Sequence, residues 1–195
     1  MARYPDIQRR VQHEIEGAIG DRMPRSNDRQ RMRFTEATLC EVQRFASLIG
    51  TIPRRTIEEC EVRGYYIEEN STAFVNMYGV HRDAAIWPAP DRFDPVANFL
   101  SSDKRNDAEK LELWEEPRQL TRTEYLIPFG IGKRECLGES LVRQELFIFF
   151  VRLLHKFTIV APNGDAAQLP PDYTAENSPV FRMPPFYKLQ FITRN

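Results

Sequence analysis

The stretch from Leu137 to Phe157 constrains the fold of this chain more than any other. Leu141, Val142, Leu146, Ile148, Phe149, Val151, Leu153 and Leu154 crowd into one helix-length segment. Read at 3.6 residues per turn, they put apolar side chains on nearly every side, and such a helix must be enclosed by other parts of a fold. Its longest strictly apolar run, Leu146 to Val151, is far short of the ~20 residues that cross a bilayer. Immediately ahead lies Phe129-Gly130-Ile131-Gly132-Lys133-Arg134-Glu135-Cys136-Leu137-Gly138. This glycine-punctuated loop runs into the helix and places Cys136 at its N-terminus. Free backbone N–H groups and the helix dipole there stabilise a thiolate, the nucleophilic and metal-ligating form of cysteine. Gly132 and Gly138 would let the backbone approach a large flat ligand, and Arg134 would pair with a carboxylate on it. The plain alternative is a buried cysteine at a helix start. A phosphate-cradling loop fails, because Arg134 follows Lys133 where Ser or Thr is needed, and Ile127 stands where the first glycine should be.

The rest of the chain reads as a mainly helical fold with small β-sheets. Residues 5–19 form an amphipathic helix, with Pro5 at its start, Ile7, Val11, Ile15 and Ile19 on one face, and Gly20 as C-cap. After a polar loop, Thr35 offers an N-cap to a helix over Glu36 to Leu48, which Gly50 and Pro53 end. Cys60–Ile67 and Thr72–Met77 read as short strands around a turn. From Trp87 onward, Pro88, Pro90, Pro95, Pro117 and Pro128 leave little room for long elements. Residues 101–118 read as a polar surface loop, and Phe157–Ala161 and Lys188–Ile192 as extended pieces.

Composition removes several classes. With 42% apolar and 28% charged residues the chain can bury a core. A length of 195 residues allows one or two domains. A net charge of −1 shows no nucleic-acid footprint. The first residues contain no apolar signal segment. Three cysteines, Cys40, Cys60 and Cys136, with no CxxC pair, argue against a disulfide scaffold or a structural zinc site.

Phe129, Gly132, Arg134, Cys136 and Gly138 together match FxxGxRxCxG, and the segment resembles the haem-binding loop of the cytochrome P450 superfamily. Other matches follow in order. Glu41-Val42-Gln43-Arg44 resembles the family's ExxR signature, whose Glu and Arg share a helix face. Trp87 to Pro95 resembles its WxxPxxFxP segment. The continuation departs from the family pattern, since Val96-Ala97-Asn98-Phe99 lacks the usual arginine. Asn98 or Arg92 would take the third place in the buried Glu–Arg network. Leu48 to Thr56 resembles the turn after the ExxR helix, with Arg54 meeting a haem propionate. Ser178 to Phe181 loosely resembles the last substrate-contacting loop. His13, His81 and His155 fall on no ligand position.

The resemblance implies an α+β fold that is the C-terminal portion, residues 1–195, of a single P450 domain. It implies haem b with Cys136 as axial iron ligand, Arg134 and Arg54 on the propionates, Phe129 packed beside the thiolate, and Glu41 and Arg44 behind it. It implies insertion of one oxygen atom of O2 into a small lipophilic substrate such as a steroid, terpenoid or xenobiotic. Electrons would come from NADPH through a flavoprotein reductase, with Lys133, Arg143 and Arg152 as contacts. The implied location is the cytosolic face of the endoplasmic reticulum membrane, held by an N-terminal anchor outside this chain. A complete member is more than twice as long and carries a distal helix with an acid–alcohol pair. No AGxxT-like segment occurs here, so no catalytic residue is assigned. The helix from Leu137 is expected to expose apolar surface without that half. The alternative is a short non-catalytic form that binds haem or a partner.

Overall fold

A computed structural model describes residues 1–100, 119–169 and 180–194. Five α-helices and three two-stranded antiparallel sheets make up the regular structure of those residues, an α+β arrangement. The expected surface loop at 101–118 and the Ser178–Pro179 part of the expected substrate loop lie outside them.

Helix α1 (Pro5–Ile19) buries Val11, Ile15 and Ile19, and Gly20 closes it with a φ of 55°. Gln8 and Gln12 are buried on the same helix. Gln8 trades two hydrogen bonds with the backbone of Ile159, and Gln12 donates to the carbonyl of Phe157 at 3.0 Å. Polar residues on an otherwise apolar stripe thus dock α1 to a strand far away in sequence.

Helix α2 (Arg33–Ala46) starts earlier than its sequence suggests, and Thr35 is not its N-cap. The carboxylate of Glu14, from α1, accepts from the backbone N–H groups of Phe34 (2.9 Å) and Thr35 (2.7 Å) and from the Thr35 hydroxyl (2.6 Å). A carboxylate from another helix therefore satisfies the first-turn donors that a local cap would serve. The helix ends at Ser47, in the left-handed region, before Gly50 is reached.

The segment after it is not only a turn. Strand β1 (Thr51–Arg55) pairs with β4 (Thr72–Asn76), Arg54 opposite Ala73. Pro53 fits because β1 is an edge strand and needs no ladder N–H on its open side. Strands β2 (Cys60–Val62) and β3 (Tyr65–Ile67) form a separate hairpin. Its turn residues Arg63 and Gly64 both have positive φ, as a I′ turn demands. Short helices α3 (Met77–Val80) and α4 (Pro95–Phe99) punctuate the proline-rich stretch.

Helix α5 (Glu139–Lys156) corrects the expectation of full enclosure. Only Phe147, Val151 and Leu154 are buried, against α1 and α2. Leu141 and Phe149 are 60% and 66% exposed, and Leu137, just ahead of the helix, is fully exposed. The helix thus presents apolar surface on the sides that α1 and α2 leave open. Strand β5 (Phe157–Val160) follows directly and pairs with β6 (Gln190–Thr193).

One buried polar network sits at the centre. Glu41 and Arg44 are wholly shielded from solvent. Arg44 donates to both Glu41 oxygens at 2.7 and 2.9 Å. It also donates to the carbonyls of His81 (2.6 Å), Pro90 (2.8 Å) and Arg92 (3.0 Å). Glu41 Oε1 accepts from the Asp94 N–H at 2.8 Å and from Asn98 Nδ2 at 3.0 Å. Asn98 also holds both backbone groups of Ala89. Of the two candidates for the third place, Asn98 stands in it. The Arg92 side chain is 75% exposed beside Asp94, and Arg92 contributes only its carbonyl. An exposed guanidinium is well solvated outside, whereas the buried Glu41 oxygen needs a donor within reach.

Replacing Asn98 by Ala leaves Glu41 and Ala89 short of partners. It is expected to cost about 1–3 kcal/mol in chemical denaturation. Arg92→Ala should stay within about 0.5 kcal/mol of the parent. Equal losses would show that the Arg92 side chain takes part.

Candidate haem-binding site

The cysteine loop hangs between the end of the proline-rich stretch and α5. Its backbone is tied to itself. The Gly130 N–H donates to the Ile127 carbonyl (3.0 Å), the Cys136 N–H to Phe129 (2.9 Å) and the Glu135 N–H to Gly132 (3.0 Å). Gly130 and Gly132 take φ values of 77° and 78°, which side-chain-bearing residues rarely adopt. Gly138 differs. Its φ is negative, and an added methyl would come within 3.9 Å of Cys136 Sγ. Glycine there keeps one side of the sulfur open.

Cys136 is not inside the first turn of α5. It lies two residues ahead of the N-cap, Gly138, and its carbonyl accepts from the Glu139 N–H at 3.2 Å. Its side chain is exposed, not buried as the plain alternative required. It lines a cavity of about 1010 Å3 together with Phe129, Arg134, Val42, Ala46, Ile52, Val142 and Leu146. Small-molecule sites run to roughly 300–1,000 Å3 and are mostly apolar with a few placed polar groups. This one meets that description.

Two cations meet at the cysteine loop. Arg54 Nη2 donates to the carbonyl of Arg134 at 3.4 Å, a long contact that brings the two residues together across the loop. Neither pairs with a carboxylate among the described residues. Arg134 itself lines the cavity, whereas Arg54 sits outside its lining. An apolar slot with an exposed sulfur on its wall and cationic donors nearby suits a flat apolar ligand bearing carboxylates, and haem is such a ligand.

The basic residues expected to meet a reductase divide. Lys133 and Arg152 are exposed. Arg143 is engaged. Its Nε donates to Glu139 at 2.7 Å, and its guanidinium lies 5.2 Å from the centre of the Phe129 ring. It braces an aromatic of the cavity lining and is not a free surface charge.

The three cysteines differ by environment. Cys40 is buried on α2. Desolvation, reinforced by the neighbouring Glu36, pushes its thiol up to about 12. Cys60 is exposed on β2 and is not among the residues lining the cavity. Among the described residues no group of three or more His, Cys, Asp or Glu side chains could hold a bare metal ion, and no helix is long and apolar enough to cross a membrane.

Sequence reasoning missed one residue that matters here. His81, set aside as a non-ligand, is fully buried between the network and the loop. It accepts from the Ile127 N–H and contacts Ser47. No spacing rule marks it, since both partners are distant in sequence.

Comparison with known proteins gives a consistent picture. The family model described as Cytochrome P450 matches residues 1–191. Mouse cytochrome P450 2U1 is 41% identical over 166 residues, covering 84% of this chain and 28% of the relative. Human cytochrome P450 2J2 is 38% identical, covering 87% and 31%. Mouse cytochrome P450 2B9 is 34% identical over 196 residues, covering 100% and 36%. The chain thus spans about a third of the length of these relatives.

Iodoacetamide applied to the native chain should modify Cys60 and Cys136 and spare Cys40 until denaturant is added. Peptide mass mapping reads this directly. Native labelling of Cys40 would contradict its burial.

Proposed function

Because the chain belongs to the cytochrome P450 family, we propose that it forms the cysteine-bearing side of a haem-thiolate monooxygenase, as the C-terminal portion of one P450 domain. The observation that carries this reading is the exposed Cys136 sulfur on the wall of an apolar cavity whose rim holds Arg134. Haem bound there supplies the insertion of one oxygen atom of O2 into a C–H or C=C bond of a lipophilic substrate, using electrons that start on NADPH and pass through a flavoprotein reductase.

The remaining roles fall to this chain's own residues. Cys136, as thiolate, would hold the haem iron. Arg134 and Arg54 hold the two carboxylates by charge-assisted hydrogen bonds. Phe129, braced by Arg143, adds an aromatic face to the cavity that Cys136 lines. Gly132 permits the left-handed turn that presents Arg134, and Gly138 leaves room beside the sulfur. Lys133 and Arg152 offer exposed positive charge to an acidic reductase face. Glu41, Arg44 and Asn98 keep the helix behind the cavity in place. A steroid, terpenoid or foreign lipophile is the substrate class, and the cytosolic face of the endoplasmic reticulum membrane the location.

The test is a reduced, carbon-monoxide difference spectrum of the chain reconstituted with haem. The parent and Cys60→Ala should give a strongly red-shifted Soret band, and Cys136→Ala should lose it. Arg134→Ala should weaken haem affinity roughly tenfold or more, from loss of a hydrogen bond to a charged group. An unchanged band in Cys136→Ala would sink the ligand assignment.

A further inference from the structure

The buried network and the cysteine loop are far apart in sequence, yet one side chain touches both. The backbone carbonyl of His81 accepts from Arg44, which makes His81 part of the network. Its ring faces the other way. The Ile127 N–H donates to Nε2 at 3.1 Å, and Nδ1 lies 2.9 Å from Ser47 Oγ. A backbone N–H only donates, so Nε2 must keep its lone pair and the ring proton sits on Nδ1. Nδ1 then donates to Ser47 Oγ, which in turn donates to the Arg44 carbonyl at 2.7 Å. One neutral tautomer satisfies every polar atom of the ring.

Ile127 is held on both sides of its residue. His81 takes its N–H, and Gly130 donates to its carbonyl to begin the turn that leads through Phe129 to Cys136. The imidazole is therefore a direct side-chain tie between the end of α2 and the start of the cysteine loop.

We propose that His81 is a positioning residue: its neutral imidazole latches the Leu126–Gly138 loop to the Glu41–Arg44 network, and a second proton on the ring releases the loop. The role as a loop that bears an iron ligand rests on the function proposed above, but the latch itself does not need haem. Protonated, the ring would present an N–H to the Ile127 N–H, and two donors repel.

The surroundings set the pH. Burial first, then the charges of Arg44 and Arg82, push the ring from 6.5 down to about 4. Arg44 comes from α2 and is neutralised by Glu41, while Arg82 is adjacent in sequence and reaches the exposed Asp91 only at 3.5 Å. Because the folded value lies below the unfolded one, the unfolded or opened state binds more protons between them. The contribution of the latch is fully present above about 6.5 and is lost as pH falls toward about 4.

The test is hydrogen exchange with peptide mass analysis on the full chain, stepped from neutral pH to pH ~4 and corrected for the intrinsic pH dependence of exchange. Peptides covering residues 126–136 should lose protection by more than roughly tenfold across the window, ahead of peptides from α1 and β5. His81→Gln, whose amide both accepts and donates but does not titrate, should keep the loop protected and flatten the profile. His81→Phe should leave the loop open at every pH. A Gln variant that opens in acid as the parent does would overturn the latch, as would a protected loop in the Phe variant. If the Phe variant does not fold, the parent and Gln profiles decide. Cys136→Ala should leave the exchange profile unchanged while losing the carbon-monoxide band, so the haem reading and the latch fail separately.

Discussion

Everything else in this structure depends on the ion pair between Glu41 and Arg44. Two charges taken fully out of water lose several kcal/mol of hydration each, and their mutual attraction offsets this only when the remaining hydrogen-bonding positions are filled. Here they are filled from one region. The carbonyls of His81, Pro90 and Arg92 converge on the guanidinium, and the Asp94 N–H and Asn98 amide converge on the carboxylate. That region is rich in proline and has little regular structure, so its carbonyls have few partners of their own. The arginine acts as the hydrogen-bond core of a segment that cannot form one, and removing either charge would strand the other group in the interior.

The same helix turns this fixed centre into a site. Glu41 and Arg44 point toward the irregular segment, while Val42 and Ala46, on another face of α2, line the cavity. The cysteine loop comes to that cavity from the far end of the irregular segment, gripped at Ile127 by His81. Three pieces distant in sequence are thus registered against one another by a short series of buried polar contacts. Apolar packing alone would leave their relative positions softer, because it is not directional.

The sequence was most legible where the signal is local. The periodicity of α1, the Arg63-Gly64 turn and the glycines before Cys136 act through neighbours a few residues away. The resemblance of the ten-residue loop needed only fixed spacing. What escaped acts at a distance. Thr35 looked like a cap, but Glu14 from another helix does that work. Strand β1 was hidden by Pro53 and by a partner strand reached only after an intervening hairpin. The choice between Asn98 and Arg92 depended on which side chain is buried, which spacing does not encode. The apolar circumference of α5 predicted enclosure, and these residues enclose only the face of Phe147, Val151 and Leu154.

The contrast between two cysteines shows why the cavity, and not cysteine content, carries the functional reading. Cys40 and Cys136 belong to one small structure. Cys40 lies on α2 in the core, next to the Glu36 carboxylate, and both influences disfavour an anionic sulfur. Its thiol is inert for the same reason that it packs well. Cys136 stands in the open before the N-terminus of α5, on a wall that includes Arg134, with Arg54 close behind. A sulfur in that position is open to solvent and to whatever occupies the cavity. The loop glycines matter because they deliver this placement: left-handed turns at Gly130 and Gly132 bring the chain back so that the Cys136 N–H bonds to Phe129, and the side chain then projects into the slot. A cysteine moved a few residues into α5 would face either the core or bulk solvent and would leave the wall that Arg134 shares.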